Sequence, residues 1–584
     1  MLNESYIQVL HVDLTTRRVR IARREDLHYL LGGVGVASAL YEEIMRPDLE
    51  PLDPDQPIVL AIGPLNTIFP VVTKAVALFR SPLTGELGES HAGGRIGLAM
   101  RYAGYDALVI TGQAPRPTYL YIDSSQVQFR DATPLWGLKA EEVGRILRER
   151  EGERGHRTIM RIGPAGENLV RYALVNIETY RHFGRLGLGA VLGSKRLKAV
   201  FISGDRIIAI PHVQEYNRVY TEIYRRVNET EAMKKYHEQG TPFNVLALNA
   251  MGGLPTRNLQ AGSFEGAEEI SGVAFAEHEL VRKQACAGCP IGCIHVALHR
   301  RSFGAAGEYE VQSALVAYDY ELIYALGSLL GLRDRNAILG LIDTVSNRGL
   351  DTIATGVTLA WATEALEKGL IPASELGTEL RWGDVAGYIA AVKAIVRQET
   401  ELTRMLAQGP VAAAARYGGR EFVLALGGNP MAGYHTGYGS LVGQLVGLRH
   451  SHVDNAGYSL DQQGVAMSDE EIVDGLLREE MERGILNSLC ICLFARKIYD
   501  RPTVLAALHS IGIEMDNAGL DRLAREAMQR RIRIKQAFGF DYRALQVPAR
   551  YYETPTMHGQ LNPARVQHLV NLYADRIEAL MQES

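Results

Sequence analysis

Cys286-Ala-Gly-Cys289-Pro-Ile-Gly-Cys293 is the segment that most narrows the fold and chemistry of this chain. Three thiols, with Gly and Pro between them, allow the loop to fold back on a compact inorganic centre. Cys490 and Cys492, much further along the chain, offer a fourth thiolate, and four fit a [4Fe–4S] cluster or a structural zinc ion. Zinc sites usually pair two Cys-x-x-Cys knuckles, and Cys490-Ile-Cys492 is too tight for one. The spacing therefore favours iron–sulfur over zinc, with unliganded thiols as a third interpretation.

The chain before this segment has the pattern of strands and turns. Short apolar runs bounded by Gly or Pro predict strands at Tyr6–Leu14, Ile58–Ile62, Ala75–Phe79, Ala107–Ile110, Thr118–Ile122, Thr158–Ile162 and Lys198–Ile202. Two short helices are predicted among them, at Gly33–Ile44 and Ala140–Arg150.

From Val213 onward the hydrophobic period becomes helical. Apolar residues at intervals of three and four predict helices at 334–346, 357–368, 385–399, 469–483 and 520–537, and Asn562 with Pro563 predicts the start of a last helix. We therefore expect an α+β fold, with a β-rich N-terminal domain (1–205) followed by two mostly helical domains (206–415 and 416–584). The second seam rests on Gly409-Pro410 and the Gly-rich stretch after Tyr417.

Composition excludes several classes of protein. Of 584 residues, 47% are hydrophobic and 22% charged, which is ordinary for a globular chain and unlike a disordered one. The net charge of −5 offers no general attraction to nucleic acid or to an anionic membrane. The first residues have no basic region followed by an apolar run, and no apolar run is long enough to span a bilayer. We therefore expect no membrane segment, no disulfide framework and a cytoplasmic location.

Two glycine-rich segments have the composition of anion-binding loops. One runs from Ser81 to Gly94 and is preceded by Lys74, and the other runs from Arg181 to Gly189. Glycine permits positive φ and exposes N–H groups, while neighbouring Arg or Lys supplies charge for a phosphate. Either segment alone is better interpreted as a tight turn. Together they predict a phosphorylated cofactor near the cysteines.

Seven stretches of the chain, taken in order, resemble the aldehyde:ferredoxin oxidoreductases, tungstopterin enzymes with one [4Fe–4S] cluster. They are Gly63-Pro-Leu, Ser81-Pro-Leu-Thr-Gly85, Tyr102-Ala-Gly-Tyr-Asp106, Gly163-Pro-Ala-Gly-Glu-Asn168, Gly184-Arg-Leu-Gly-Leu-Gly-Ala-Val-Leu-Gly-Ser-Lys-Arg-Leu-Lys198, the Cys286–Cys293 loop and Gly349-Leu-Asp-Thr-Ile-Ala-Thr-Gly356. The likeness covers nearly the whole chain and thins after residue 370. It implies that the β-rich domain carries a bis-pyranopterin holding tungsten or molybdenum through dithiolene sulfurs, with no side chain on the metal.

The resemblance also implies cofactor-binding residues. Those near the pterin phosphates and a bridging Mg²⁺ would be Lys74, His91 (where Asn is usual), Gly93, Arg181, His182 through its backbone, Gly184 and Arg185. Cys492 would be the fourth ligand of the cluster, with Cys490 a neighbouring thiol.

Several positions depart from the family pattern. The two pterin-binding Asp-x-x-Gly-Leu-(Asp/Cys) motifs begin with Ser346 and Asn487, so Asp351 is the carboxylate that survives. Asp516-Asn-Ala-Gly-Leu-Asp521 has the motif's wording but lies out of register, and we interpret it as a helix start. The subunit-bridging iron site of the family would fall near Gly340–Asp343, where its Glu-x-x-His pattern is missing.

By the same resemblance, Glu310 is the first candidate for the active-site carboxylate, and its alternative is a surface role. His452, followed by His450, is the candidate histidine, and the alternative is another metal site or a subunit interface. The implied function is interconversion of an aldehyde and its carboxylate, with electrons passing through the cluster to ferredoxin or a ferredoxin-like subunit. The assembly would be a homodimer or a hetero-oligomer. The alternatives are a W-pterin reductase of a non-aldehyde substrate such as an aromatic thioester, and a pterin-free iron–sulfur scaffold.

Overall fold

The structure is a computed structural model that describes residues 5–152, 155–178, 180–302, 310–464 and 467–583. Within those ranges, no helix combines the length and the apolar character that crossing a bilayer needs.

The N-terminal part contains two six-stranded sheets. The first has the order β2-β1-β6-β3-β4-β5, and its strands are β1 (Ile7–Asp13), β2 (Val19–Arg24), β3 (Ile58–Ala61), β4 (Ala75–Arg80), β5 (Leu87–Ala92) and β6 (Ala107–Thr111). The second has the order β11-β10-β9-β12-β7-β8, with β7 (Thr118–Ile122), β8 (Val127–Asp131), β9 (His156–Arg161), β10 (Val175–Ile177), β11 (Arg181–Phe183) and β12 (Leu197–Gly204). Most pairs are antiparallel, but β1–β6 and β7–β12 are parallel.

The two sheets share one hydrophobic core. Leu60 and Phe79 from the first sheet belong to the same buried cluster as Leu120 and Val200 from the second. Helices in this part are α1 (Gly33–Ile44), α2 (Ile96–Ala103), α3 (Ala140–Arg150), α4 (Pro164–Glu167) and α5 (Leu188–Ser194). The opposite face of the first sheet packs against α1 and against helices from the C-terminal third. The sheets therefore present β5 and β11 side by side at one edge.

A third sheet interrupts the helical part. It has the order β13-β14-β15, with β13 (Leu280–Gln284), β14 (Ile294–Ser302) and β15 (Val311–Tyr318), all antiparallel. The Cys286–Cys293 loop is the connection between β13 and β14. A two-stranded ribbon of β16 (Ala425–Leu426) and β17 (Asn429–Pro430) follows later. None of these five strands is predicted from the sequence.

The rest of the chain is helical. Its helices are α6 (Val213–Glu229), α7 (Glu231–Glu238), α8 (Asn244–Ala250), α9 (Gly272–His278), α10 (Tyr320–Leu326), α11 (Arg335–Arg348), α12 (Thr352–Glu367), α13 (Ala373–Leu376), α14 (Val385–Arg397), α15 (Glu401–Ala407), α16 (Pro410–Tyr417), α17 (Tyr438–Val446), α18 (His452–Asn455), α19 (Gly457–Asp461), α20 (Asp469–Ser488), α21 (Arg501–Ser510), α22 (Asn517–Ala537), α23 (Arg550–Glu553) and α24 (Pro563–Gln582). The predicted fold class, β-rich first and mostly helical afterwards, is confirmed.

Capping residues place several helix starts. Asn562 accepts hydrogen bonds from the backbone N–H groups of Ala564 (2.8 Å) and Arg565 (3.3 Å), as predicted for the last helix. The Asp516 side chain accepts one from Gly519 N–H (2.7 Å), which confirms that its motif is a helix start. The division into three domains at 205 and 415 stays a prediction.

Candidate active site

A cavity of about 1000 Å³ lies where the edge strands of the two large sheets meet the third sheet and the helical part. Its lining comes from segments far apart in sequence, including β5, β11, the cysteine loop, β15, the start of α12, the loop before α18 and the segment after α20. The site therefore forms only when the whole chain has folded.

Four thiols face this cavity: those of Cys286, Cys289, Cys293 and Cys492. Backbone hydrogen bonds through one segment connect the two cysteine loops. The N–H of Val71 donates to Gly288 O (3.2 Å), and the N–H of Cys492 donates to Val71 O (3.1 Å). The segment at Val71 therefore fixes Cys492 relative to the other three cysteines. Among the described residues, no group of three or more His, Cys, Asp or Glu side chains is arranged to hold a metal ion.

The pKa values of these thiols differ. Burial raises the pKa of Cys289 to about 12 and that of Cys293 to about 11. Burial also opposes ionisation of Cys286, but the positive charges of Arg181 and Lys74 outweigh it and lower the pKa of this thiol. A Cβ atom at Gly93 would lie 2.7 Å from Cys286 Sγ, so the strand end leaves the sulfur just enough room. The cavity thus has a thiolate-favouring, cationic wall beside Cys286.

Buried polar atoms without hydrogen-bond partners line the same cavity. They are Arg181 Nε, Arg185 Nε, Asn176 Oδ1 and Asp351 Oδ2. Arg185 Nε and Asp351 Oδ2 are 3.2 Å apart, an ion pair without the geometry of a hydrogen bond. Buried polar groups are nearly always satisfied in folded proteins, so a group of such atoms around one cavity is typical of a site for a polar ligand.

A histidine–carboxylate pair lies at the end of β5. His91 Nε2 is 2.7 Å from Glu89 Oε1, and Arg531 Nη1 donates to the other oxygen of Glu89 (3.1 Å). Burial raises the pKa of Glu89, but Arg531 and Arg449 lower it more, so the carboxylate is charged. An ionised Glu89 accepts a hydrogen bond from His91 Nε2–H, which leaves Nδ1 as the acceptor atom of a neutral ring.

A second such pair lies across the cavity. His452 Nε2 is 3.4 Å from Glu321 Oε1, and the hydroxyl of Tyr434 donates to the same oxygen (3.1 Å). The ring of Tyr434 stacks on His452, with ring centres 4.6 Å apart. Burial raises the pKa of Glu321, but His452 outweighs it and the pKa is lowered. Burial and the charge of Glu321 raise the pKa of neighbouring Asp319 to about 7. Two carboxyl groups with pKa values pushed apart can serve as proton acceptor and proton donor in one site.

Family models match both parts of the chain. "Aldehyde ferredoxin oxidoreductase, N-terminal domain" matches residues 9–204, and "Aldehyde ferredoxin oxidoreductase, domains 2 & 3" matches residues 218–577. The chain belongs to the aldehyde ferredoxin oxidoreductase family. It is therefore an oxidoreductase, and the family implies a tungsten bis-pterin cofactor.

Relatives support this placement. The chain is 33% identical over 503 residues to the tungsten-containing aldehyde ferredoxin oxidoreductase of Pyrococcus furiosus. The matched region covers 83% of this chain and 81% of that protein. The chain is 31% identical over 427 residues to the aliphatic sulfonate oxidoreductase, WOR-like subunit, of the same organism, covering 70% and 67%. The fold is similar to a chain of the active-site complex BamBC of benzoyl coenzyme A reductase with 1,5-dienoyl-CoA (TM-score 0.83, 19% identity, 97% and 94% covered).

In this aldehyde ferredoxin oxidoreductase family member, the predicted cofactor-binding residues lie around the cavity. Its lining includes Lys74, His91, Gly93, Arg181, His182, Gly184, Arg185, Ser346, Asp351 and Asn487. Their role as cofactor ligands stays a prediction. Asp351 also caps α12, because its Oδ1 accepts from Ile353 N–H (3.0 Å). Cys490 is fully buried beneath the cavity wall, consistent with a neighbouring thiol.

Glu310 is not placed at the site. It is exposed just before β15, at the opposite end of that strand from Asp319 and Glu321. Nine residues of extended chain separate it from Asp319, roughly 30 Å. Glu310 does not line the cavity, and its role as the active-site carboxylate stays a prediction. The segment Asp319-Tyr-Glu321, whose sequence is similar to Gly307-Glu-Tyr-Glu310, lies eleven residues later and contains the carboxylate that reaches His452.

His450 is also absent from the cavity lining, whereas His452 lines it. The backbone at His450 has φ +53°. The ring lies 3.1 Å from Glu86 Oε2 and 3.0 Å from Lys535 Nζ, in a buried charged cluster. In the glycine-rich segment Ser81–Gly94, the turn between β4 and β5 does not line the cavity, whereas Glu89, Ser90, His91 and Gly93 do.

Proposed function

We propose that this protein is a tungsten or molybdenum bis-pterin oxidoreductase that interconverts an aldehyde and its carboxylate. Electrons would leave through one [4Fe–4S] cluster to ferredoxin or a partner subunit. The observation that carries the proposal is one cavity that combines four thiols, unsatisfied cationic and amide groups, and the Glu321–His452 pair. The named activity of the relative from Pyrococcus furiosus supports the substrate class.

The residues present fit both inorganic groups. Cys286, Cys289, Cys293 and Cys492, which all line the cavity, would supply the four thiolates of a [4Fe–4S] cluster. The unsatisfied Nε atoms of Arg181 and Arg185, with the ammonium of Lys74, would hold the pterin phosphates, and the backbone of His182 would face the bridging Mg²⁺. When bound, the metal supplies a two-electron acceptor next to the substrate. A pterin-free scaffold would leave these buried guanidinium atoms unsatisfied, and so it fits the structure less well.

The protein's own contribution is to position the substrate and move protons. Oxidation of RCHO with one water to RCOO⁻ releases two electrons and three protons. Glu321 is ionised at neutral pH, so it can accept a proton from the attacking water. His452, held by Glu321 and by the ring of Tyr434, can donate a hydrogen bond to the carbonyl oxygen. Asp319, beside Glu321, is placed to receive the proton next.

A non-aldehyde substrate is the second candidate. The fold neighbour is named for benzoyl coenzyme A reductase, and another relative for aliphatic sulfonate oxidation. One feature of the cavity favours a non-aldehyde substrate: Ser346 and Asn487 stand where the family motif has carboxylates at the pterin edge.

Elemental analysis of protein purified without oxygen from a host that makes the pterin tests the proposal first. About one W or Mo and about four Fe per chain are expected. Four Fe without W or Mo would favour the scaffold, and zinc in place of iron would overturn the cysteine assignment. Reduction of a viologen dye with a panel of aldehydes, compared with aromatic thioesters, then separates the two substrate classes.

A further inference from the structure

A second cavity, of about 570 Å³, adjoins the cysteine loop on its outer side. It lies between β9, α3 and the outer strand β13, and Tyr180, Arg181 and Ile294 line both this cavity and the candidate active site. Cationic side chains dominate its lining: Arg95, Arg148, Arg157, Arg181, Arg282 and Lys283. The five other than Arg181 form what we call the basic face.

The charges of the basic face are not neutralised by neighbours. Among the described residues, no carboxylate forms an ion pair with any of its five cations, although Glu178 lines the same cavity. Arg157 donates hydrogen bonds to the carbonyl oxygens of Gly152 and Arg148. These bonds orient its guanidinium but do not neutralise its positive charge. The Glu178 carboxylate accepts hydrogen bonds from the backbone N–H of Arg95 (3.1 Å) and from the Thr158 hydroxyl. The chain as a whole carries a net charge of −5, so this concentration of positive charge is local.

The basic face adjoins the loop that carries three thiols of the candidate cluster. Arg282 and Lys283 are exposed on β13, which leads straight into Cys286. The N–H of Ala287 donates to Gly94 O (2.9 Å), and this bond attaches the cysteine loop to the segment that carries Arg95. Gly288, at the tip of the loop, is exposed to solvent. Val281, 55% exposed on the same strand, adds an apolar contact of the kind found at protein interfaces.

We propose that an acidic iron–sulfur carrier protein docks on the basic face and accepts electrons from the cluster through the loop tip at Gly288. The inference rests on the proposed function and names where its partner binds. Each cluster of the carrier accepts one electron, so the two electrons of one aldehyde oxidation reduce two carrier clusters. A protein partner fits better than a small anion, because Arg95, Arg282 and Lys283 are exposed at the rim, where they meet a surface rather than a bound ion.

The test reverses charge at the rim and follows two electron acceptors. The double variant Arg282→Glu/Lys283→Glu is compared with Arg18→Glu/Arg20→Glu, which changes net charge equally. The control cations lie on or beside β2, at the far edge of the first sheet from β5, five strand spacings or roughly 24 Å away. The acceptors are an acidic ferredoxin with two [4Fe–4S] clusters and a small viologen dye, both with the holoenzyme.

Electrostatic steering speeds association by about 10- to 10³-fold. We therefore expect the Arg282/Lys283 variant to lower the second-order rate of ferredoxin reduction at least tenfold at low salt, and the control to change it less than twofold. Viologen-linked turnover should stay within twofold in both. The wild-type ferredoxin rate should fall as salt rises, whereas the reversed variant should lose that dependence.

Several results would overturn the proposal. One is an equal loss in both variants, and another is a wild-type ferredoxin rate that does not depend on salt. A third result combines two measurements: pyrophosphate binds tightly through Arg282 and Lys283, but charge reversal at these residues leaves the rate of ferredoxin reduction unchanged. The second cavity would then be a site for a small anion. If the reversed variant does not fold, Arg282→Gln/Lys283→Gln replaces it, with a smaller loss expected. If wild-type enzyme has no viologen-linked activity, the proposed function fails, and binding of oxidised ferredoxin to wild type and variant still decides the docking site.

Discussion

Replacing Glu321 with Gln tests the assignment of the catalytic carboxylate. The amide keeps the shape of the side chain and an oxygen for the Tyr434 hydroxyl, which lies 3.1 Å from Glu321 Oε1. It loses the negative charge next to His452 Nε2, 3.4 Å away, and cannot accept a proton from water. The fold should therefore survive while the proton-transfer step does not.

The expected decrease in kcat/KM follows from the role of Glu321 as a general base. A positioned general base contributes about 10²- to 10⁴-fold to the rate, which is roughly 3–5 kcal/mol of activation free energy. We expect kcat/KM for an aldehyde, measured with a viologen dye at neutral pH, to decrease by about 10²- to 10⁴-fold. The matched variant is Glu310→Gln, whose side chain is exposed before β15, and it should retain at least half of the wild-type value.

Metal content, iron content and the thermal midpoint of both variants show whether the site is still loaded and folded. A Glu321→Gln enzyme that is loaded and keeps more than half of the wild-type kcat/KM would refute the role of Glu321. A large loss of activity in Glu310→Gln with unchanged activity in Glu321→Gln would instead identify Glu310 as the active-site carboxylate.

Three further predictions follow from the same geometry. Cys492→Ser should lower iron per chain and the visible absorbance of the cluster, whereas Cys490→Ser, at a buried thiol outside the cavity, should keep both. The pKa of Asp319 is raised to about 7 by burial and by Glu321, so the folded state holds this proton more tightly than the unfolded chain does. The free energy of unfolding should therefore fall between about pH 4 and pH 7, and Asp319→Asn, which can still cap α10, should flatten that slope in melts across this range. Lys535→Met removes the ammonium that lies 2.8 Å from the largely buried Glu86 carboxylate and leaves the His450 ring as its partner. It should lower the free energy of unfolding by about 3–5 kcal/mol in denaturant titrations, and adding Glu86→Gln should recover part of the loss.

Much of the fold could be predicted because its signals are local. The predicted helices at Gly33–Ile44 and Ala140–Arg150 have the bounds of α1 and α3, because apolar spacing and polar flanks agree within each segment. The third sheet could not be predicted in this way. In β15 the first three residues are exposed and buried residues gather at its C-terminal end, so the strand lacks the alternating pattern that marks a half-buried strand.

The candidate site also contains some residues that could be predicted from the sequence and others that could not. The cysteine loop could be predicted from spacing alone, and Cys492 from family resemblance. Glu89 and Glu321 were missed because contacts with distant residues give them their character: Glu89 pairs with Arg531, 442 positions away, and Glu321 accepts from Tyr434, 113 positions away. For Glu89 a weak signal existed, since it stands two residues before His91 on a strand and therefore on the same face.

Buried charged groups fix the loop that carries His450 and His452, and they place the two histidines differently. Asp454 accepts from the N–H groups of Arg449 (2.9 Å) and Ser451 (3.1 Å), which closes the loop into a tight turn. The His450 ring anchors that turn on Glu86 and Lys535, while the next two residues, Ser451 and His452, line the cavity. Buried ion pairs add little net stability, but they specify one conformation when a partner group must be placed accurately. The charged cluster behind the cavity thus fixes the loop that holds His452 against Glu321, and His450 lies in that cluster and not in the cavity lining.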